Sequence, residues 1–384
     1  MDVAVDRVAT LIAADLVCPV TRLSLRVVSL EEARRRIAGG ASLAARTELT
    51  GAPVTGETEF VLLRADERAA YPLINGIPVL LAPEVLVHPE AGSRFDLKLP
   101  QYAEAYQEME FYNGVGFGEA ERLRATGSLR AVAESESLQH LEHLRQRPEG
   151  ERAHFPQPPT VWLHARMDLQ SEWDCYQHIG PLRGQRILQL GGSGKAVLSL
   201  LLAGAGEAVL LTPMVGEAES ALEVAKIIGV ADRFRCVVAV AEEIPLADES
   251  VDVAFSGGCV HHMRTEIAFP EISRVLRPGG RFAAIEPWRA PFYGLGTKVL
   301  GKREANPFCH PMTPTRAAPL FEAFPKARCE LHGTLTRYAM LGLQKFNILT
   351  PLNTAWRIGR ADDRFCSIFG MRRFGSGVAL LATK

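Results

Sequence analysis

The feature that most constrains this chain is residues 187–195, where an apolar run meets a glycine-rich turn. The run 187–190 predicts a buried strand, residues 191–194 predict a tight loop, and residues 196–203 predict a helix. Such a loop presents backbone N–H groups at the positive end of the helix that follows it. The stretch therefore predicts a site that binds an anionic group of a cofactor.

Three further segments follow at the spacing of strands in a doubly wound sheet. They are residues 208–211, 251–256 and 277–287, expected as the second, fourth and fifth strands. Strands that alternate with helical stretches in this way indicate an α/β fold with a largely parallel sheet. Residues 328–335 and 375–383 are expected to form the sixth and seventh strands.

Two strings carry a likeness to a known family: QLGGSGK at 189–195 and VLRPGG at 275–280. With them, residues 180–288 resemble the cofactor domain of class I S-adenosylmethionine-dependent methyltransferases. The resemblance implies a doubly wound, Rossmann-like sheet of seven strands, S-adenosylmethionine as cofactor, and methyl transfer to an O, N or C nucleophile of a small molecule. Two alternatives stay open: use of the cofactor for a different reaction, and a non-catalytic binding or scaffold protein.

The resemblance also implies which residues bind the cofactor. They are Gln189, Gly191, Gly192, Ser193, Gly194, Thr212, Ala241, Glu242 and Ser256. Gln189 stands where the family usually has an acid, so the charge that would assist binding of an ammonium group is absent. Thr212 stands where the family expects an acid that takes both ribose hydroxyls, and Glu217 is a substitute one turn later.

The catalytic candidates lie at the ends of the predicted fourth and fifth strands. His261 and His262 follow the fourth strand and Glu286 ends the fifth, and ligands of open α/β sheets gather outside such ends. His262 matches a family histidine and is the candidate general base, because histidine titrates near neutral pH. The structural alternative is that His262 caps the strand. No metal is predicted, since nothing in the spacing brings these residues together with Cys309 and His310.

Two other segments are candidates for the substrate pocket, each with a purely structural alternative. The basic side chains of one loop either contact an anionic substrate or are solvated: Lys298, Lys302, Arg303 and Arg316. The stretch before the first strand either forms a pocket wall or packs on the sheet: Trp162, His164, Arg166 and Trp173.

The chain is expected to have three parts. Residues 1–95 form a small N-terminal α+β module, residues 96–160 a helical connector and linker, and residues 161–384 the sheet domain with insertions at 290–316 and 340–370. Segments 15–21 and 71–81 resemble the two halves of a zinc-ribbon-like activator domain of methyltransferases. We expect no zinc there, because Thr21 stands where that family often has the cysteine partner of Cys18.

Composition limits the partners and the compartment. No apolar run among the 384 residues approaches the roughly 20 needed to span a bilayer. The net charge of −1 gives no basic field, so a nucleic-acid partner is unsupported. Seven scattered cysteines and an N-terminus without a basic start predict a cytoplasmic protein with free thiols. A small-molecule substrate is the expected partner, and oligomerisation stays open.

Overall fold

The computed structural model describes residues 16–37, 42–43, 59–80, 86–87, 100–132, 136–164, 168–290, 310–346 and 350–384. Helices and strands are numbered in chain order among these residues. Several predicted features lie outside them: Arg166, Lys298, Lys302, Arg303, Cys309 and most of the insertion 290–316.

Seven strands form the central sheet in the spatial order β12-β13-β11-β10-β7-β8-β9. Their bounds are β7 Arg186–Leu190, β8 Glu207–Thr212, β9 Phe234–Val238, β10 Val251–Gly257, β11 Leu276–Pro287, β12 Lys326–His332 and β13 Gly377–Thr383. β13 runs antiparallel to the other six strands, which all point the same way. The predicted doubly wound α/β sheet of seven strands is confirmed. The chain runs outward from β7 through β8 to β9 and then crosses to β10, so the switch point lies between β7 and β10.

Helices cover both faces of the sheet, which explains why its strands are nearly continuous apolar runs. Ile187 of β7 packs into one core layer, and Leu188 and Leu190 pack into the other. The helices are α1 Leu30–Arg36, α2 Pro100–Thr126, α3 Glu136–Arg145, α4 Glu149–Arg152, α5 Pro159–Trp162, α6 Leu169–Ile179, α7 Lys195–Leu202, α8 Val215–Ile227, α9 Thr265–Val275, α10 Pro314–Ala323, α11 Thr336–Lys345 and α12 Leu352–Ile368. Within the described ranges, no helix is long and apolar enough to pass through a bilayer.

The fifth strand of the sheet begins earlier than its sequence predicts. The predicted segment is 277–287 and contains a Pro-Gly-Gly turn at 278–280, yet β11 already pairs with β10 at Leu276, before that turn. Between the pairs Val251–Leu276 and Val253–Arg281 the register shifts, so the turn is accommodated as a bulge inside the strand.

The N-terminal residues form a second, antiparallel sheet with one helix against it. Its strands are β1 Leu25–Ser29, β2 Ser42–Leu43, β3 Phe60–Arg64, β4 Ala69–Ile74, β5 Ile77–Pro78 and β6 Leu86–Val87, in the order β1-β3-β4-β6-β2 with β5 on β4. The sulfur of Cys18 lies 3.1 Å from the hydroxyl of Tyr71 and accepts the amide of Thr21 at 3.4 Å. No group of three potential metal ligands occurs among the residues described, and the zinc-ribbon resemblance of this part stays a prediction.

This N-terminal part docks on the edge of the central sheet. Leu80 donates its amide to the carbonyl of Val238 at 2.7 Å, at the carboxyl end of β9. Val17 donates to the carbonyl of Pro245 at 3.1 Å, in the segment that follows β9. Both contacts therefore lie on the side of the central sheet formed by the carboxyl ends of its strands. Ligands of this fold gather on that side.

Helix α2 packs along α8 at very short range. A Cβ atom placed on Gly116 would overlap the carbonyl carbon of Gly216, and one placed on Gly216 would overlap the carbonyl oxygen of Asn113. Only glycine allows the two backbones this approach. Asn113 uses it to accept the amide of Gly216 at 2.6 Å, in the first turn of α8.

Candidate functional site

The loop at the switch point takes its shape from three glycines. Gly191, Gly192 and Gly194 have φ values of 71°, 70° and 74°, a left-handed conformation that costs other residues energy. A Cβ on Gly191 would lie 2.7 Å from the Cβ of Cys259, which follows β10. The backbone of Gly191 is thus packed directly against the side chain of Cys259, and only glycine permits this contact.

The side chain of Gln189 fastens this loop to the helix behind it. Its amide nitrogen donates to the carbonyl of Gly191 at 2.9 Å, and its amide oxygen accepts the backbone N–H of Val197 at 2.8 Å. Gln189 is buried, and both the nitrogen and the oxygen of its amide are engaged in these two bonds. The arrangement holds the loop in place, and a direct contact of Gln189 with a cofactor stays a prediction.

A buried polar cluster lies beside the loop, at the end of β8. Thr212 donates its hydroxyl to the carboxylate of Glu217 at 3.0 Å, and burial raises the pKa of Glu217. The ammonium of Lys195 lies 2.5 Å from the carboxylate of Glu119, which also accepts the hydroxyl of Ser220. Glu119 comes from α2, so the connector contributes directly to the wall of this site.

The predicted adenine segment and the end of β10 complete the cofactor side. Ala241 is buried in a short 3₁₀ turn. Glu242 accepts the amide of Arg264 at 2.8 Å, and burial raises the pKa of this carboxyl group. Ser256 is fully buried, and its hydroxyl has no hydrogen-bond partner among the residues that the structure describes.

Glu286 organises the opposite lip of the switch point. Its carboxylate accepts the amides of Cys259 at 3.0 Å, Val260 at 2.8 Å and His261 at 3.3 Å. The same carboxylate lies 2.7 Å from Nδ1 of His261. The structure therefore brings two of the three predicted catalytic residues into direct contact, with both side chains buried.

His262 lies beside them and is exposed. Its ring centroid is 4.1 Å from that of His261. Desolvation by nearby protein atoms, together with the cationic side chains of its surroundings, lowers the pKa of His262. Arg316 is among these cations, and it donates to the carbonyl of Met263 at 2.9 Å, which ties α10 to the lip. The ring of His262 is consequently neutral at physiological pH.

Of the two tryptophans before β7, one packs in the core and the other contacts a second tryptophan on α12. Trp162 is buried and packs edge to face on Phe155, with ring centroids 4.8 Å apart. Trp173 is half-buried and faces Trp356 of α12. The backbone amide of His164 donates to the buried carboxylate of Glu172 at 3.0 Å.

Sequence reasoning missed three residues of the site: Glu119, Asn113 and Cys259. Glu119 reaches Lys195 across 76 positions, and Asn113 reaches Gly216 across 103. No local pattern predicts bonds over such separations. Cys259 follows the predicted fourth strand, but its contact with Gly191 depends on how closely β7 and β10 pair.

A comparison with protein families identifies the segment that contains the loop and the lip. Residues 188–284 match the family described as a methyltransferase domain. All nine predicted cofactor residues, together with His261 and His262, lie within this matched segment, and Glu286 lies just beyond it.

Curated relatives match over short stretches only. A ubiquinone/menaquinone biosynthesis C-methyltransferase of Rubrivivax gelatinosus is 49% identical over 61 residues, which cover 14% of this chain and 24% of that protein. A malonyl-[acyl-carrier protein] O-methyltransferase of Methylococcus capsulatus is 52% identical over 54 residues, 14% of this chain and 20% of that protein. This chain thus spans a quarter or less of the length of either relative.

Solved structures include similar chains. One is the geranyl diphosphate C-methyltransferase of Streptomyces coelicolor A3(2), in complex with Mg²⁺, geranyl diphosphate and S-adenosyl-L-homocysteine. The sequence identity is 16% and the TM-score is 0.42, with 66% of this chain and 98% of that chain covered.

Proposed function

We propose that this protein binds S-adenosylmethionine at the switch point between β7 and β10 and transfers its methyl group to a small-molecule nucleophile. The observation that carries the proposal is the loop of three left-handed glycines at the switch point, within the segment that matches a methyltransferase domain. A glycine loop that opens a helix presents backbone N–H groups to a ligand, and this loop opens α7.

Features of the cleft fit this cofactor. The backbone of Gly191, Gly192, Ser193 and Gly194 would hold its methionine part. Ser256 offers a buried hydroxyl that has no partner among the described residues. Such a group is costly to bury unless a ligand or water satisfies it.

The ribose hydroxyls would be held at the end of β8. Thr212 alone offers a single oxygen, which cannot hold the two hydroxyls of a diol bidentately as the two oxygens of a carboxylate do. Its neighbour Glu217 supplies the carboxylate that the diol requires, so we assign the pair Thr212 and Glu217 to the ribose. Ala241 and Glu242 would flank the adenine, as the resemblance implies.

Bound S-adenosylmethionine supplies a methyl group already activated by its sulfonium. The work left to the protein is to bring the nucleophile into line and, where needed, to accept its proton. His262 is our candidate for this base, because it is exposed at the lip and neutral. Its lowered pKa makes it a weaker base than an ordinary histidine. Glu286 and His261 are assigned to positioning the lip that carries it.

Two other functions remain as the alternatives that this proposal must exclude. One is a different reaction run with the same cofactor, and the other is a scaffold that has lost the cofactor. An anionic acceptor, a cytoplasmic location and an oligomeric state are further proposals from sequence alone.

Isothermal titration with S-adenosylhomocysteine, the demethylated product, tests the proposal. We expect the wild type to bind and Glu217→Gln to bind about tenfold more weakly, because charge-assisted hydrogen bonds contribute about 1.5–3 kcal/mol. The matched control is Glu223→Gln on the same helix, whose carboxylate pairs with Arg124 and Lys226 outside the cleft. A folded wild type that gives no heat at millimolar ligand contradicts the proposal and favours a scaffold.

A further inference from the structure

A cavity of about 670 Å³ lies at the far edge of the central sheet. Its walls come from α6, from α12 and from β12, whose residues Arg328, Glu330 and His332 line it. Alternate residues of a strand share one face, which explains why these three point the same way. A volume of this size is typical of sites for small organic ligands.

The cavity is separate from the switch point. In the spatial order of the sheet, β12 is four strands from β7. At about 4.8 Å between neighbouring strands, this separation is about 19 Å. No residue that lines the cavity belongs to the glycine loop, the end of β8 or the lip. Whatever binds here would therefore not occupy the proposed cofactor site.

His332 is the buried anchor of the cavity. Its Nδ1 lies 2.9 Å from the carboxylate of Asp363, and its Nε2 lies 2.9 Å from that of Asp174. Burial disfavours the charged ring, but the two carboxylates outweigh it and raise the pKa of His332 to about 9. The ring is thus protonated at neutral pH and neutralises part of the charge of its two partners.

The lining is positively charged. Besides His332 it contains four arginines against three carboxylates. Arg372 is 3.5 Å from Glu330, which is a long contact. Arg360 and Arg364, on consecutive turns of α12, form no ion pair with any residue that the structure describes. Two guanidinium groups at one rim match the bidentate geometry of a phosphate or carboxylate.

Two tryptophans give the cavity an apolar wall. The rings of Trp173 and Trp356 meet edge to face, with centroids 5.9 Å apart, and both side chains are half-buried. The guanidinium of Arg360 lies 5.5 Å from the ring centroid of Trp356, so the cationic rim and the aromatic wall are adjacent. An aromatic ring that carries an anionic group would contact both at once.

We propose that this cavity binds a small aromatic anion, with its phosphate or carboxylate at Arg360 and Arg364 and its ring against Trp173 and Trp356. This site is independent of the proposed methyl transfer. It is suited to an aromatic effector or to a second small molecule that the protein handles away from the switch point.

Isothermal titration with 1-naphthyl phosphate tests the proposal on the full chain. We expect one site per chain, and affinity at least tenfold weaker for 1-naphthol, which lacks the charge, and for inorganic phosphate, which lacks the ring. Arg364→Ala should weaken binding of 1-naphthyl phosphate about tenfold. The matched control is Arg357→Ala on the same helix, which is exposed and does not line the cavity.

Three results would overturn the proposal. The first is the absence of binding at millimolar 1-naphthyl phosphate. The second is equal binding by wild type and Arg364→Ala. The third is displacement of the probe by S-adenosylhomocysteine, which would show that the probe binds at the switch point. Inorganic phosphate that binds as tightly as the aromatic probe would exclude the role of the two tryptophans.

Discussion

Gly191 and Cys259 lie so close that the loop and the lip act as one surface. The Cβ that any other residue would add to position 191 falls 2.7 Å from the Cβ of Cys259. The same position has a left-handed backbone, which adds a cost of about 1–2 kcal/mol for residues with a side chain. Substitution here therefore combines backbone strain with a steric clash inside the proposed cofactor cleft.

We predict that Gly191→Ala loses affinity for S-adenosylhomocysteine by tenfold or more, because the loop must move to relieve the clash. Gly229→Ala is the control outside the cleft: Gly229 has a φ of 76° and a Cβ added there would meet no atom within 4 Å, so this variant carries the backbone strain alone and should keep wild-type affinity. Circular dichroism first checks that both variants are folded, and titration with S-adenosylhomocysteine then measures their affinity. Wild-type affinity in a folded Gly191→Ala variant would mean that the cofactor binds elsewhere.

We predict that His262→Ala lowers the rate of methyl transfer about a hundredfold, the low end of what a positioned proton acceptor provides, once an acceptor is known. Affinity for S-adenosylhomocysteine should stay within about twofold, since His262 is assigned to the acceptor side. Steady-state kinetics and titration measure the two quantities separately. A parallel loss of both would make His262 a structural residue of the lip, and an unchanged rate would assign the proton to another group.

At this scale the sequence was informative where the chemistry is local. The glycine loop and the lip histidines follow strands that are recognisable by their apolar runs. The sequence could also predict the partner of Thr212, because Glu217 follows it by one turn. The sequence could not predict the role of Gln189, because its hydrogen bonds to Gly191 and Val197 depend on the folded shape of the loop.

Helix α2 shows how tertiary packing overrides a local prediction. An aromatic stripe predicts a helix over 100–113, and a second, charged helix is expected over 128–147. The structure extends the first helix to Thr126, through Gly114, Gly116 and Gly118, and begins the next at Glu136. Three glycines disfavour a helix by about 1 kcal/mol each, so sequence alone ends it near them. Contact with α8 compensates, and that contact needs Gly116.

Alanine substitutions at the three glycines of α2 should change the free energy of unfolding in opposite directions. Gly116→Ala should destabilise the protein by about 1–3 kcal/mol, because its Cβ overlaps the backbone of Gly216. Gly114→Ala and Gly118→Ala should stabilise it by up to about 1 kcal/mol, since nothing lies within 4 Å of either added Cβ. Urea unfolding of the three variants measures the difference. Equal effects at the three positions would show that α2 does not pack on α8 at Gly116.

For the whole molecule, the sequence predicted the seven-stranded sheet but not how the N-terminal residues join it. The doubly wound α/β class of the sheet follows from its alternating strand and helix pattern, whereas docking of the N-terminal sheet depends on contacts that no periodicity encodes. Arg22 carries one of these contacts: it donates to the carbonyl of Ile244 at 2.8 Å and lies 2.6 Å from the carboxylate of Glu271. Glu271 in turn accepts the amide of Ile244 at 3.2 Å.

These bonds connect the N-terminal part to the segment that follows Ala241 and Glu242, which leads to the last prediction. Arg22→Gln should speed hydrogen exchange across residues 241–246 and weaken S-adenosylhomocysteine binding about threefold to tenfold, although Arg22 lies outside the cleft. Removal of a charged hydrogen-bond donor from a half-buried pair costs about 1.5–3 kcal/mol, enough for local opening of the segment.

Arg26→Gln is the matched control for this experiment, because Arg26 belongs to the same N-terminal part but pairs, among the residues described, with the exposed carboxylates of Glu32 and Glu67. It should leave both exchange and affinity unchanged, since exposed ion pairs contribute little. If the two variants show the same exchange over 241–246, the N-terminal part does not stabilise the cofactor segment. If exchange rises in Arg22→Gln while affinity does not fall, the segment is stabilised by docking but makes no contribution to cofactor binding, and the assignment of Ala241 and Glu242 to the adenine must be withdrawn.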